Sequence, residues 1–173
     1  YTLKEINISQ LNYLNNEEIL KYFKSYKNKS IFMIPFHDLA NEISRNKWIK
    51  EIKINSNYKN SINIFIEEER PFAIYDNFSQ KVLFSDNFVA LEILNESKEF
   101  FNLPIFYGTN SLNNSKELYK NFNSNFKKNI KSANYIEHRR WNLKLLNSLL
   151  RKFNITILTT IKIGNKFKFE YSN

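Results

Sequence analysis

Cysteine is absent from the 173 residues, and glycine, histidine and proline occur only two, two and three times. Without thiols there are no disulfides and no thiolate zinc sites, and a cysteine-free chain suits oxidising and reducing compartments alike. Two glycines cannot build a phosphate-cradling loop of the G-x-x-x-x-G-K or G-x-G-x-x-G kind. His37 and His138 lie far apart in the chain and in no metal-ligand spacing such as His-x-x-x-His, and no Ser, Cys or carboxylate pattern around His138 forms a nucleophile motif. No metal or cofactor is therefore expected. No window approaches the roughly 18 consecutive apolar residues of a membrane span, and no signal-peptide pattern opens the chain. The sequence starts at Tyr1 rather than Met, so the missing span is expected to describe these residues and not the parent protein.

What is present is an apolar fraction of 42%, enough for a core, and a net charge of +9. A basic excess invites a nucleic-acid or anionic-membrane reading. The abundant residues (Lys, Asn, Ile, Phe, Tyr) all have A+T-rich codons, however, and the lysines are dispersed rather than blocked. A solvated basic surface from a low-GC genome accounts for both.

Periodicity divides the chain. "YTLKEINIS" reads as a strand with Ile6 and Ile8 on one face. "NNEEILKYFKSY" reads as an amphipathic helix with Asn15 or Asn16 as N-cap, Glu17 and Glu18 at its positive end, and Ile19, Phe23 and Tyr26 on one stripe. A second helix follows Pro35, with Phe36, Leu39, Ala40 and Ile43 inward and His37 outward. From Trp48 the period falls to two: Trp48, Ile52 and Ile54, the turn "SNYKN", then Ile62, Ile64 and Ile66. Trp48 is expected to plug the core between the second helix and the sheet. The expected fold is α+β, a β-α-α-β-β unit over residues 1–71 followed by a mostly antiparallel β domain with a helix over 72–173. In that second domain "FAIYD", "KVLFSD" and "NFVALEI" read as strands, and "FFNLPIFYG" as a buried run ending at Gly108. A helix is expected across "SLNNSKELYKNFNSNFKKNI", with Leu118, Phe122 and Phe126 on one stripe. "RRWNLKLLN" returns to strand, with Trp141, Leu143 and Leu145 on one face.

Glu67, Glu68, Glu69, Arg70 and Pro71 pose a question at the join. Clustered carboxylates can trade protons when burial separates their pKa values. The alternation of a strand, though, places Glu67 and Glu69 on one side and Glu68 on the other, and no enclosing pocket is evident. The favoured reading is architectural: Glu69 and Arg70 clamp a domain junction, and Pro71 ends the strand and directs the chain onward.

These marks together resemble the bacterial cell-division family FtsQ (DivIB in Gram-positive bacteria), most closely its proteobacterial members. Trp48-Ile49, an Ile-rich hairpin and Glu69-Arg70-Pro71-Phe72-Ala73 look like the close of that family's POTRA domain. "LFSD", the Leu103, Pro104 and Gly108 pattern, and Arg139-Arg140-Trp141-x-Leu143-x-Leu145 follow in family order. Lys47 stands where the family has proline, "SNYKN" lacks the usual Trp-Pro, and the likeness fades after Leu146. That tail, from about residue 147, is atypical or truncated, and reads on its own as a hairpin around Gly164 and Asn165.

The resemblance implies a non-enzymatic divisome scaffold with no small-molecule substrate and no nucleic acid. It implies an inner-membrane protein with one N-terminal span absent from this chain, its domains facing the periplasm at the septum. It also implies that FtsB- and FtsL-like partners bind by edge-strand addition at the last strands of the β domain, with Arg139 or Arg140, beside Trp141, pairing with a partner acid, linking them to septal peptidoglycan synthesis. Two other readings are a POTRA-type polypeptide-binding module of outer-membrane assembly or secretion, which would show repeated units, and a nucleic-acid binder using the lysine–aromatic interleaving of "KFKFEY".

Overall fold

A computed structural model describes residues 1–94, 100, 102–120, 122, 124–136, 140–145, 158–162 and 169–171. The chain divides into two compact units, Tyr1–Arg70 and Pro71–Asn173.

In the first unit the strands are β1 (Glu5–Ile8), β2 (Ile49–Ser56) and β3 (Ser61–Glu68), and the helices are α1 (Asn16–Phe23) and α2 (Phe36–Ile43). The Asn15 side chain accepts the Glu17 N–H at 2.9 Å, and Glu17 and Glu18 occupy the first turn of α1, where the helix dipole favours anions. α2 starts after Pro35, which costs nothing at a position whose N–H would be unpaired. β3 is central, parallel to β1 (Ile6 opposite Ile62) and antiparallel to β2 (Ile54 opposite Ile64). Its alternation sends Ile62, Ile64 and Ile66 into a core with Leu3, Ile19, Phe23, Ile31, Leu39 and Ile43, while Phe65 on the opposite face stays exposed.

Trp48 is not the expected plug. It is half-buried, stacked on Tyr13 with ring centroids 5.0 Å apart. The reason is a β-bulge: the β2–β3 register slips between Ile49 and Glu51. The extra residue inverts the alternation, so Ile49, not Trp48, turns into the core with Ile52 and Ile54.

The second unit is one sheet of β4 (Pro71–Asp76), β5 (Lys81–Ser85), β6 (Ala90–Leu94), β7 (Ile105–Tyr107), β8 (Ile130–Ile136), β9 (Arg140–Leu145), β10 (Leu158–Lys162) and β11 (Phe169–Tyr171). The spatial order is β11-β10-β9-β8-β7-β4-β5-β6. Every pairing is antiparallel except those of β7, which runs parallel to both β4 and β8. A parallel pair needs a crossover, and α3 (Ser111–Lys120) and α4 (Ser124–Lys128) provide it between β7 and β8. The long helix expected over 111–130 is thus two helices, and Ile130, expected to end it, instead opens a strand. Gly108 makes the exit from β7 possible: its φ is +96°, and a Cβ there would lie 2.2 Å from the Tyr135 carbonyl oxygen.

The core of this unit is aromatic. Phe84, Phe106, Tyr119 and Trp141 are buried around the small residues Ala73 and Ala133. Phe106 meets Phe84 and Trp141 edge-on, each at 5.8 Å, and Phe72 meets Tyr119 edge-on at 4.6 Å, the arrangement the ring quadrupole favours. The tail expected to form a hairpin contains β10 and β11, paired antiparallel; Gly164 and Asn165 lie outside the described residues.

Candidate partner-binding edge

The three acids at the end of β3 have separate structural tasks. Lys50 on β2 donates to the Glu67 carboxylate at 2.5 Å and holds its pKa below the usual value, chiefly by that hydrogen bond and its charge. Glu68 accepts the backbone N–H groups of Asn12, Tyr13 and Leu14 at 2.6, 3.0 and 2.8 Å. A half-buried carboxylate thereby satisfies three donors in the loop entering α1. Glu69 is buried, and its N–H donates to the Trp48 carbonyl at 2.8 Å. Because β3 ends at Glu68, Glu69 leaves the alternation and does not share the exposed side with Glu67. Arg70 is exposed, and its charge also lowers the Glu67 pKa. Pro71 is the first residue of β4, opposite Ser85, rather than the last of β3; there a missing N–H is least costly.

No three His, Cys, Asp or Glu side chains converge on a metal position among the described residues. A cleft of about 450 Å³ in the first unit is lined by Leu3, Ile6, Leu20 and Phe23 with four lysines and the single carboxylate Glu17. It offers no base–nucleophile pair. Tyr107 and Tyr119 titrate above their ordinary value, both chiefly through burial, and neither adjoins a candidate nucleophile.

Arg140 and Trp141 lie on β9, which is flanked on both sides: Arg140 is opposite Ile136 of β8 and Lys162 of β10. Trp141 is fully buried. Its indole therefore offers no surface to a partner, a correction to the expectation. It contributes by anchoring β9 in the core, against Phe106 and Tyr135. Arg140 and Asn142 take the opposite face by alternation and are half-buried. The Arg140 Nε and the Asn142 Oδ1 are both buried without a hydrogen-bond partner among the described residues. A donor and an acceptor two positions apart on one face are thus left unpaired, which is costly unless something satisfies them. Asn142 was not singled out from sequence, although the two-residue spacing from Arg140 was the signal that placed it on the same face. Arg139, like His138, lies outside the described residues. The sheet ends on β11 at one side and β6 at the other, so those strands, not β9, present backbone groups at its edges.

A β-α-α-β-β unit with a central third strand, followed by a wide mixed sheet whose outermost described strands are β11 and β6, defines a POTRA-type architecture. Residues 1–69 match the family model described as "POTRA domain, FtsQ-type", and the chain is similar to proteobacterial proteins named cell division protein FtsQ. Cell division protein FtsQ of Rickettsia typhi is 28% identical over 83 residues, 48% of this chain and 31% of the relative. The Rickettsia bellii protein of the same name is 27% identical over 86 residues, 50% of this chain and 32% of the relative. That of Rhizobium meliloti is 20% identical over 154 residues, 88% of this chain and 50% of the relative. The chain thus spans between 31% and 50% of the length of these curated relatives.

Proposed function

We propose that this chain is the periplasmic part of a non-enzymatic divisome scaffold, held at the inner membrane by a segment outside these residues. Its second unit takes up FtsB- and FtsL-type division proteins by strand addition at the β11 end of the sheet and so couples them to septal peptidoglycan synthesis. The observation that supports this most is the progression β9-β10-β11 to an open side of the sheet, where an incoming strand gains main-chain hydrogen bonds. The Arg140 guanidinium, with its unpaired Nε, supplies a cationic anchor for a partner acid, with Arg139 beside it in sequence. Glu69, Arg70 and Pro71 serve as the junction between the units.

Titration of this chain with an FtsB-type peptide tests the reading. Arg140→Glu should weaken binding by about 2–5 kcal/mol, the cost of leaving two acids facing each other in a desolvated contact. An acid-to-lysine change in the peptide should restore part of the loss. Circular dichroism of the variant controls for folding, because Arg140 is half-buried. Glu170→Pro, which breaks regular strand pairing in β11, should weaken binding independently of charge. Undiminished affinity in both variants would exclude this edge, and a salt-dependent shift of nucleic acid by the parent would favour the basic-binder reading instead.

A further inference from the structure

Exposed large apolar side chains gather at one end of the first unit. Phe32 and Met33, in the 3-10 turn Ile31–Met33, are 66% and 76% exposed, and Tyr58, in the β2–β3 turn, is 59% exposed. The Phe32 and Tyr58 rings stack at 6.1 Å, and Tyr1 meets Phe32 edge-on at 5.7 Å. Backbone bonds fix the three segments together: Ile31 N–H to the Tyr1 carbonyl at 2.9 Å, Leu3 N–H to Lys29 at 2.9 Å, and Lys4 N–H to Asn60 at 2.8 Å.

This placement is not an accident of a loose loop. The Asn57 side chain accepts the N–H groups of Lys59, Asn60 and Ser61 at 2.9, 3.1 and 3.0 Å, which fixes the turn. Tyr58 sits in that turn at φ +54°, in the left-handed region that strains a non-glycine residue. A large aromatic is held there in a strained backbone and with most of its ring in solvent, so core packing does not explain it.

The segments that carry the cluster are basic, and the next residue along β1 is the exposed acid Glu5. Residues 1–4, 27–33 and 57–60 contain Lys4, Lys27, Lys29 and Lys59, all exposed, and no Asp or Glu. A second copy of the chain would set lysines against lysines. A peptide partner needs a groove or a strand edge, whereas these side chains project from a turn and a 3-10 helix. Aromatic and methionine side chains among lysines match the interfacial zone of a bilayer, where rings enter the headgroup boundary and ammonium groups meet lipid phosphates.

We infer that Phe32, Met33 and Tyr58, with Lys4, Lys29 and Lys59, form a docking surface for an anionic lipid bilayer. The surface lies in the first unit and needs no division partner, so it stands or falls separately from the partner-binding edge in the second.

Co-sedimentation of this chain with phosphatidylcholine vesicles, with and without phosphatidylglycerol, tests it. Binding is expected to the phosphatidylglycerol vesicles and to fall with salt. Phe32→Ser/Met33→Ser should lower partitioning more than tenfold, with an unchanged circular-dichroism spectrum because both side chains are exposed. Lys29→Ala/Lys59→Ala should lower it about 25-fold, since each lysine near an anionic surface contributes about fivefold. Failure to bind phosphatidylglycerol vesicles, or equal binding by the serine variant, would overturn the inference. Binding of polyglutamate in place of vesicles, abolished in the lysine variant, would assign the surface to an acidic protein partner and overturn it as well.

Discussion

The two units solve the packing problem with different materials. The first is filled by isoleucine, with Phe23 its one fully buried aromatic side chain among the described residues. The second is filled by interlocking rings spaced by alanine and serine. β-Branched side chains suit a pleated surface and keep one preferred rotamer, so an Ile-lined strand needs little beyond the right alternation. Rings need particular mutual orientations and leave polar atoms to be satisfied. Among the described residues, the buried polar atoms without a hydrogen-bond partner, those of Ser111, Tyr119, Arg140, Trp141 and Asn142, fall in the second unit. The first unit is thus the more self-consistent fold, and the second carries unpaired groups available to function.

The largest expected contrast comes from deleting core volume. Trp141→Ala, at 0% exposure in the aromatic core, should cost about 3–5 kcal/mol, whereas Ile64→Val at the centre of β3 should cost about 0.5–1.5 kcal/mol. Urea unfolding of both variants measures it, and comparable losses would erase the distinction between the cores.

Gly108→Ala follows. The new methyl meets a backbone oxygen rather than a flexible side chain, at a φ that L-residues avoid, so a loss of about 2–4 kcal/mol is expected. A melting temperature equal to that of the parent would show that β8 moves aside easily.

Glu68→Ala probes the first unit away from its core. Three backbone N–H groups would lose their acceptor, and destabilisation of about 1–3 kcal/mol should result, with faster amide exchange at Asn12–Leu14 by NMR. Protected amides in the variant would show that water replaces the carboxylate without cost.

Tyr119→Phe carries the smallest effect. The buried hydroxyl has no hydrogen-bond partner among the described residues, so its removal should be neutral or stabilising by up to about 1 kcal/mol. Burial raises the folded pKa of Tyr119 above the ordinary phenol value. Its contribution is therefore complete below about pH 10 and is lost as pH rises past that point, because only the unfolded chain then releases the proton. Thermal melts above pH 10 should show the parent losing more stability than Tyr119→Phe; parallel pH profiles would place the hydroxyl in contact with water.

The boundary between readable and unreadable features follows contact range. A capping Asn at 15 or 16, which the structure places at Asn15, the stripe of Ile19 and Phe23, and the inward Ile62, Ile64 and Ile66 were legible because each depends on neighbours within a few residues. Trp48 was misassigned because a bulge, invisible to a period-two count, inverted β2 at its start. β8 was missed because "IKSANYI" has weak alternation; its strand state comes from pairing with β7 and β9. Of the candidate site, Arg140 was visible from the double arginine before Trp141. The burial of Trp141 and the unpaired Asn142 were not, since both depend on strands distant in the sequence.

By itself, then, the sequence determined the β-α-α-β-β unit, the change of texture at Arg70 and Pro71, the lack of thiol and glycine-loop chemistry, and the resemblance carried by its ordered motifs. Only the tertiary structure decided that β7 runs parallel between two strands, that Glu68 closes a loop 54 to 56 residues upstream, and that β9 is an inner strand two removed from β11. The physical reason is that local propensity and alternation set which residues form an element and which way they face. The partners of an element are chosen by non-local burial and hydrogen bonding, which no short window contains.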